Sequence, residues 1–151
     1  METNNNQNTA ALIHLSSLSQ YFVPFGNFIF PIVIWSFNKD KSEYVDAQGK
    51  QVINFQLSLF LYTLVLCLIA LPILFITVLK NVPFYDLVNK PEFTMQHLSF
   101  QNITGIAVVA LVTVLVFIFM KVIEFFLIIY ATVKTSNGED FKYPATIPFI
   151  K

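Results

Sequence analysis

The 151-residue chain contains no arginine; its nine basic side chains are all lysine, balanced by nine Asp and Glu to a formal net charge of zero. No basic run exists on which a phosphate backbone could lie, so nucleic-acid binding is excluded. The single cysteine, Cys67, rules out a disulfide within the chain. Its neighbours Leu66 and Leu68 offer none of the cationic surroundings that activate a thiol, so it reads as a small apolar side chain, packed or facing lipid. Charge itself is scarce, at 12% of residues, where a soluble domain carries about a quarter. In its place stand 56% hydrophobic residues, among them 17 Phe, and a mean hydropathy of +0.65. That balance specifies an integral membrane protein.

The apolar residues fall into three regions. Ala10–Phe37 is broken by Val23-Pro24-Phe25-Gly26-Asn27 and again by Pro31. As one helix it would be ~42 Å long, more than the ~30 Å hydrocarbon core. Two geometries fit: a single tilted helix kinked at Pro24, or two helices, 10–22 and 27–37, the first lying along or dipping into the membrane. Ser16, Ser17, Ser19 and Gln20 make the first half polar for lipid and favour the second. Trp35 and Phe37, beside Asn38-Lys39, have the character of an interfacial anchor. Leu57–Leu79 is free of charge and would span ~35 Å, with a bend at Pro72 that membrane helices tolerate. Ile103–Met120 is likewise uncharged, and its apolar pattern continues past Lys121 and Glu124 to Val133.

The remaining segments are polar. Residues 1–9 lack the positive region and cleavage site of a secretory signal and read as a short disordered leader. Residues 38–56 are the most polar stretch, with Ser42 as a helix cap and Glu43 and Asp46 suited to a positive helix end. Residues 81–102, broken by Pro83 and Pro91, read as a loop. Asn137-Gly138 stops the last helix, and Tyr143-Pro144 and Ile147-Pro148 favour an extended tail over 135–151. The expected fold is therefore an all-α integral membrane protein, a small bundle of three to four membrane helices. It is one membrane domain over 10–151, with membrane segments at about 10–37, 55–80 and 103–133. The first is broken near Pro24–Asn27. Lysines number three in 38–56, three from Lys134 onward and two in 80–102. The positive-inside rule then places the 38–50 loop and the C-terminus in the cytoplasm. The side of the N-terminus stays open, since it depends on whether 10–37 spans once or forms a hairpin. The Asn-, Lys-, Ile- and Phe-rich composition suits a bacterial inner (cytoplasmic) membrane.

Seven polar residues stand out as functional candidates. Lys121 and Glu124, three apart, share a helix face and can pair. At membrane depth they are candidates for a transport path; near its boundary, for an ion pair offsetting its own cost. His14, on the serine-bearing face of the first region, is either a proton relay or a hydrogen-bonding group of the bundle. Asp46, Lys50 and Asn54, four apart, form a polar stripe next to Gln56, read as a vestibule or as the polar seam of the bundle. His97 lies in the 81–102 loop, and no Cys or carboxylate spacing completes a metal site with it. No cofactor is expected. No Ser/His/Asp constellation, phosphate loop or catalytic carboxylate pair exists, so no enzyme is expected. Expected partners are membrane lipid and either copies of this chain or another membrane protein.

Several fragments in order carry a resemblance: Leu12-Ile-His-Leu-Ser16, Val23-Pro-Phe-Gly-Asn27, Pro31-Ile-Val-Ile-Trp35, Val45-Asp46, Gly49-Lys50, Asn54-Phe-Gln56, Asn137-Gly-Glu139, Tyr143-Pro-Ala-Thr-Ile147 and Phe149-Ile-Lys151. Together they resemble a bacterial family of small membrane proteins of unknown function. That family is grouped with the channel-like small component of the chloroplast inner-envelope import translocon. The resemblance implies four membrane helices and a Tic-like role in protein translocation or insertion. The readings set beside it are a non-transporting accessory subunit of a larger membrane complex and small-solute or proton transport. Pro148 and the Lys121/Glu124 pair depart from the family's pattern.

Overall fold

In the computed structural model, residues 2–81 and 100–151 are described, with side chains for 4–76, 105 and 107–151. Among the described residues there are four α-helices: α1 Glu2–Ser16, α2 Gly26–Asn38, α3 Glu43–Asn81 and α4 Phe100–Ser136. Short 3-10 turns at Ser17–Tyr21 and Lys39–Lys41 follow α1 and α2, and no strand occurs among the described residues. The chain divides into two compact units, Met1–Leu61 with Lys121–Lys151, and Tyr62–Met120.

The first hydrophobic region is indeed broken. α1 tightens into the 3-10 turn Ser17–Tyr21, and Phe25, in the left-handed conformation at φ 59°, caps the start of α2. Gly26 allows the chain to double back, because a Cβ there would lie 2.6 Å from Ser19 Oγ and 2.8 Å from Ser19 backbone. α2 has 13 residues, ~20 Å, which is short of the hydrocarbon thickness. The region thus supplies no spanning helix. Among the described residues two helices are long and apolar enough to cross a membrane, Glu43–Ile76 and Ala107–Ser136.

The structure also differs at the N-terminus, where the polar residues expected as a disordered leader are helical from Glu2. Two contacts hold them. Thr9 Oγ1 donates to Asn5 O at 2.8 Å, and Gln7 packs against Gly138. Ala10, Ala11 and Ile13 are buried behind them. Almost all of the expected loop at 81–102 lies outside the described residues; its last three positions, 100–102, already belong to α4.

The unit Met1–Leu61 with Lys121–Lys151 has its own core of Ile13, Val45, Val52, Phe55, Ile128, Ala131, Phe141 and Tyr143. Phe55 and Tyr143 stack at 3.9 Å with rings within 5° of parallel. α4 ends as the sequence suggests, in a Schellman turn. Glu139 N donates to Lys134 O and Gly138 N to Thr135 O, both at 3.1 Å, with Gly138 at φ 80°. The tail then runs back along α3. The unit Tyr62–Met120 holds the apolar stretches of α3 and α4. Leu68, Leu71 and Phe75 of α3, and Leu111, Leu115 and Phe119 of α4, are among its exposed side chains. A surface of large exposed aliphatic and aromatic groups is what lipid, not water, stabilises.

Candidate functional site

The polar residues singled out in the sequence meet in three hydrogen-bonded clusters, all within the unit Met1–Leu61 with Lys121–Lys151. The first is centred on His14, fully buried on α1. Its Nδ1 lies 2.8 Å from Tyr143 Oη, and its Nε2 lies 3.2 Å from the Gln48 side-chain amide. With the amide swapped end for end, Gln48 also bonds both backbone groups of Phe141, at 3.2 and 3.3 Å. Burial holds the imidazole pKa down, from 6.5 to about 4, against the opposing pull of the Gln48 hydrogen bond. Burial likewise keeps the Tyr143 hydroxyl well above its ordinary value. His14 is neutral at physiological pH and joins α1, α3 and the tail.

In the second cluster Glu124 is almost fully buried, at 1% side-chain exposure, while its partner Lys121 is 33% exposed. Lys121 Nζ lies 2.7 Å from Glu124 Oε2. Gln20 closes the ring: its Nε2 donates to Glu124 Oε1 at 2.8 Å, and its Oε1 accepts from Lys121 Nζ at 3.1 Å. Both carboxylate oxygens are occupied, so the pair is a clasp between α4 and the 3-10 turn after α1. This satisfies the condition on which a buried ion pair is tolerated.

The third group lies along α3, where the expected stripe separates into distinct contacts. Asp46 pairs with Lys50 at 2.6 Å and accepts from Trp35 Nε1 at 2.9 Å. The indole sits where Gly49 has no side chain; a Cβ there would be 2.1 Å from Trp35 Cδ1. Trp35, expected as an interfacial anchor, joins α2 to α3 through these two contacts. Asn54 grips the tail: its Oδ1 accepts from Phe149 N at 3.1 Å and Ile150 N at 2.8 Å, and its Nδ2 donates to Ile150 O at 2.9 Å. Ser58 Oγ accepts from Ile147 N at 2.9 Å. Gln56 is buried and accepts from Asn27 Nδ2 at 2.8 Å, and its own Nε2 has no partner among the described residues.

Lys121 and Glu124 come together as the sequence suggests, and so do Asp46 and Lys50. His14, Asn54 and Gln56 each find a partner that sequence reasoning did not assign. The partners it missed are Gln20, Asn27, Gln48, Ser58 and Tyr143. Gln20 and Asn27 carried a signal, as amides in an otherwise uncharged region; nothing in the sequence marks Gln48. Cys67 is free and exposed on α3, beside Leu68, Leu71 and Pro72 in an apolar groove. Among the described residues no group of three or more His, Cys, Asp or Glu converges to hold a metal ion.

Residues 5–150 match the model of the magnetosome magnetite crystal formation protein family, MamF/MmsF. The chain belongs to this family. No curated protein and no solved structure matches it. The match overturns the resemblance to the chloroplast import component and, with it, the protein-translocation reading. The fragments that suggested it are, in this fold, packing and capping elements. Gly49 accommodates Trp35 and Gly138 ends α4. Asn54 and Tyr143 hold the tail.

Proposed function

We propose that this protein resides in a magnetosome membrane and acts in magnetite crystal formation as a non-catalytic structural component. The observation that carries this reading is the family match across residues 5–150. Two helices able to cross a bilayer support the membrane location. The engagement of His14, Glu124 and Asn54 with other parts of the same chain supports a structural role over a chemical one. Tyr44 Oη donates to Thr135 O and Glu139 O, so the 38–50 segment and the tail share one side. The lysine count argues that this side is the cytoplasm and the parent membrane the inner membrane. Association with further copies or another membrane protein belongs to the same proposal.

The test is to express the chain in a magnetite-forming bacterium deleted for its own family members and to measure crystal dimensions by electron microscopy. Crystals shifted back toward wild-type size, with the protein in the magnetosome membrane fraction, are expected. Unchanged crystals despite correct membrane delivery would overturn the proposal.

A further inference from the structure

We infer that the turn joining α1 to α2 is a lipid-inserting tip, a third membrane contact besides the two spanning helices. Tyr21, Phe22, Val23 and Phe25 project there, with Phe22 87% and Phe25 69% exposed. Between Glu2 and Lys39 the chain has no charged side chain, His14 being buried and neutral. The tip itself carries nothing ionic to dehydrate, and the charges next to it, Lys121 and Glu124 at Gln20, are paired with each other.

Three of the four backbone N–H groups in residues 22–26 are bonded within the turn; Phe25 N is the one for which the described residues supply no acceptor. Inside a bilayer an unsatisfied N–H or C=O has no solvent partner. Phe22 N and Val23 N donate to Ser19 O at 3.0 and 2.8 Å, and Gly26 N donates to Val23 O at 3.0 Å. Phe28 N and Ile29 N both donate to Phe25 O, at 3.0 and 3.1 Å, and Pro24 has no donor to satisfy. Asn27, the nearest polar side chain on α2, is turned inward onto Gln56.

A second observation concerns Phe25. It holds a left-handed backbone at φ 59°, where glycine or asparagine fits with less strain. Its ring is largely exposed, so internal packing gives no reason for a bulky apolar residue at this position. Contact with acyl chains does.

The turn region also touches aromatic residues of α3 and α4 within its own unit. Phe28 meets Phe60 of α3 edge to face at 6.3 Å, and Tyr21 meets Phe125 of α4 at 6.4 Å. At the other end of α2, Trp35 reaches Asp46 and Lys39 lies over its ring, an amphipathic end suited to the headgroups. From Lys39 to Phe25 is roughly 20 Å along the helix. α1 and α2 therefore enter the leaflet from the side bearing the tail and return to it.

The inference rests on α3 and α4 spanning the bilayer, and the experiment separates the two. In a Cys67→Ser background, single cysteines are introduced as Phe22→Cys, Phe119→Cys and Lys142→Cys, labelled with an environment-sensitive fluorophore, and reconstituted in phosphatidylcholine/phosphatidylglycerol vesicles. Phe22 is so exposed that its replacement removes no internal packing. The expected result is a blue-shifted emission at 22 and at 119, with loss of intensity when acyl-chain spin-labelled lipid is added. The label at 142 should respond to aqueous iodide instead. Quenching by spin-labelled lipid at 119 with iodide quenching at 22 would overturn the inserted tip and leave the spans standing. Iodide quenching at both would overturn both.

Discussion

Asn54 holds Ile150 from both sides of its side-chain amide, accepting from Ile150 N at 2.8 Å and donating to Ile150 O at 2.9 Å. One side chain on a helix thus supplies the donor–acceptor pair that a neighbouring strand would offer. The extended tail, which has no strand to join, finds its partner on α3. Gln48 in its swapped orientation repeats the device for Phe141, and Ser58 supplies an acceptor alone, for Ile147 N.

Asn54→Ala should release the end of the tail. Three hydrogen bonds are lost and the backbone groups of Phe149 and Ile150 must find water, at about 2 kcal/mol in all. Lys142 is exposed in the tail, so limited trypsin digestion in detergent should cut there faster in the variant. Equal cleavage rates would show that Asn54 does not restrain the tail.

Acid should destabilise the unit through His14. Its folded pKa of about 4 lies below the 6.5 of the unfolded chain, so unfolding takes up a proton between those values. Stability is therefore full above about pH 6.5 and falls as the pH drops toward 4, by about 3 kcal/mol for complete burial. Thermal midpoints in detergent should decline across that window, and the His14-dependent part of the slope should vanish in His14→Gln. An unchanged slope in the variant would assign the acid sensitivity elsewhere.

The Gln20–Lys121–Glu124 clasp makes opposite predictions for single and combined changes. Glu124→Ala removes the acceptor of Gln20 Nε2 and the ion-pair partner of Lys121 while leaving their mutual hydrogen bond, and should cost about 2 kcal/mol, less than for a fully buried pair because Lys121 is one-third exposed. Replacing all three, as Gln20→Leu, Lys121→Met and Glu124→Leu, should cost little or even stabilise, since apolar groups of similar volume carry no desolvation penalty. Chemical denaturation of both variants decides the matter. A triple variant as unstable as the single one would mean that the charges themselves are required.

Gly49→Ala should drive Trp35 out of its seat, because the new methyl would overlap Cδ1 of the indole. The cost should be about 1–3 kcal/mol. Trp35 is the only tryptophan, so intrinsic fluorescence reports the event directly, as a red shift on loss of the packed site. An unshifted spectrum at full stability would show that α2 slides to accommodate the methyl.

The sequence by itself determined the medium and the secondary structure. The scarcity of charge and the apolar runs 57–79 and 103–120 point to lipid and to helices, because runs of that length match a spanning helix, which satisfies its backbone hydrogen bonds within the segment, and exceed a spanning strand. Pro24 and Gly26 fix the break in the first region, and Gly138 the end of α4, since each encodes a local backbone constraint. The i,i+3 pair Lys121/Glu124 and the i,i+4 pair Asp46/Lys50 were legible for the same reason, as a helix brings them together without help from the rest of the fold. What only the tertiary structure decided was every contact across long separations in sequence. His14 with Tyr143, Gln20 with Glu124 and Asn54 with Ile150 join residues about 100 or more positions apart. The helicity of residues 2–9 belongs with them, because it draws support from Gly138 at the far end of the chain. The physical reason is that periodicity reports which face of a helix is apolar. It carries no information about which polar group on another element will meet the few that are buried.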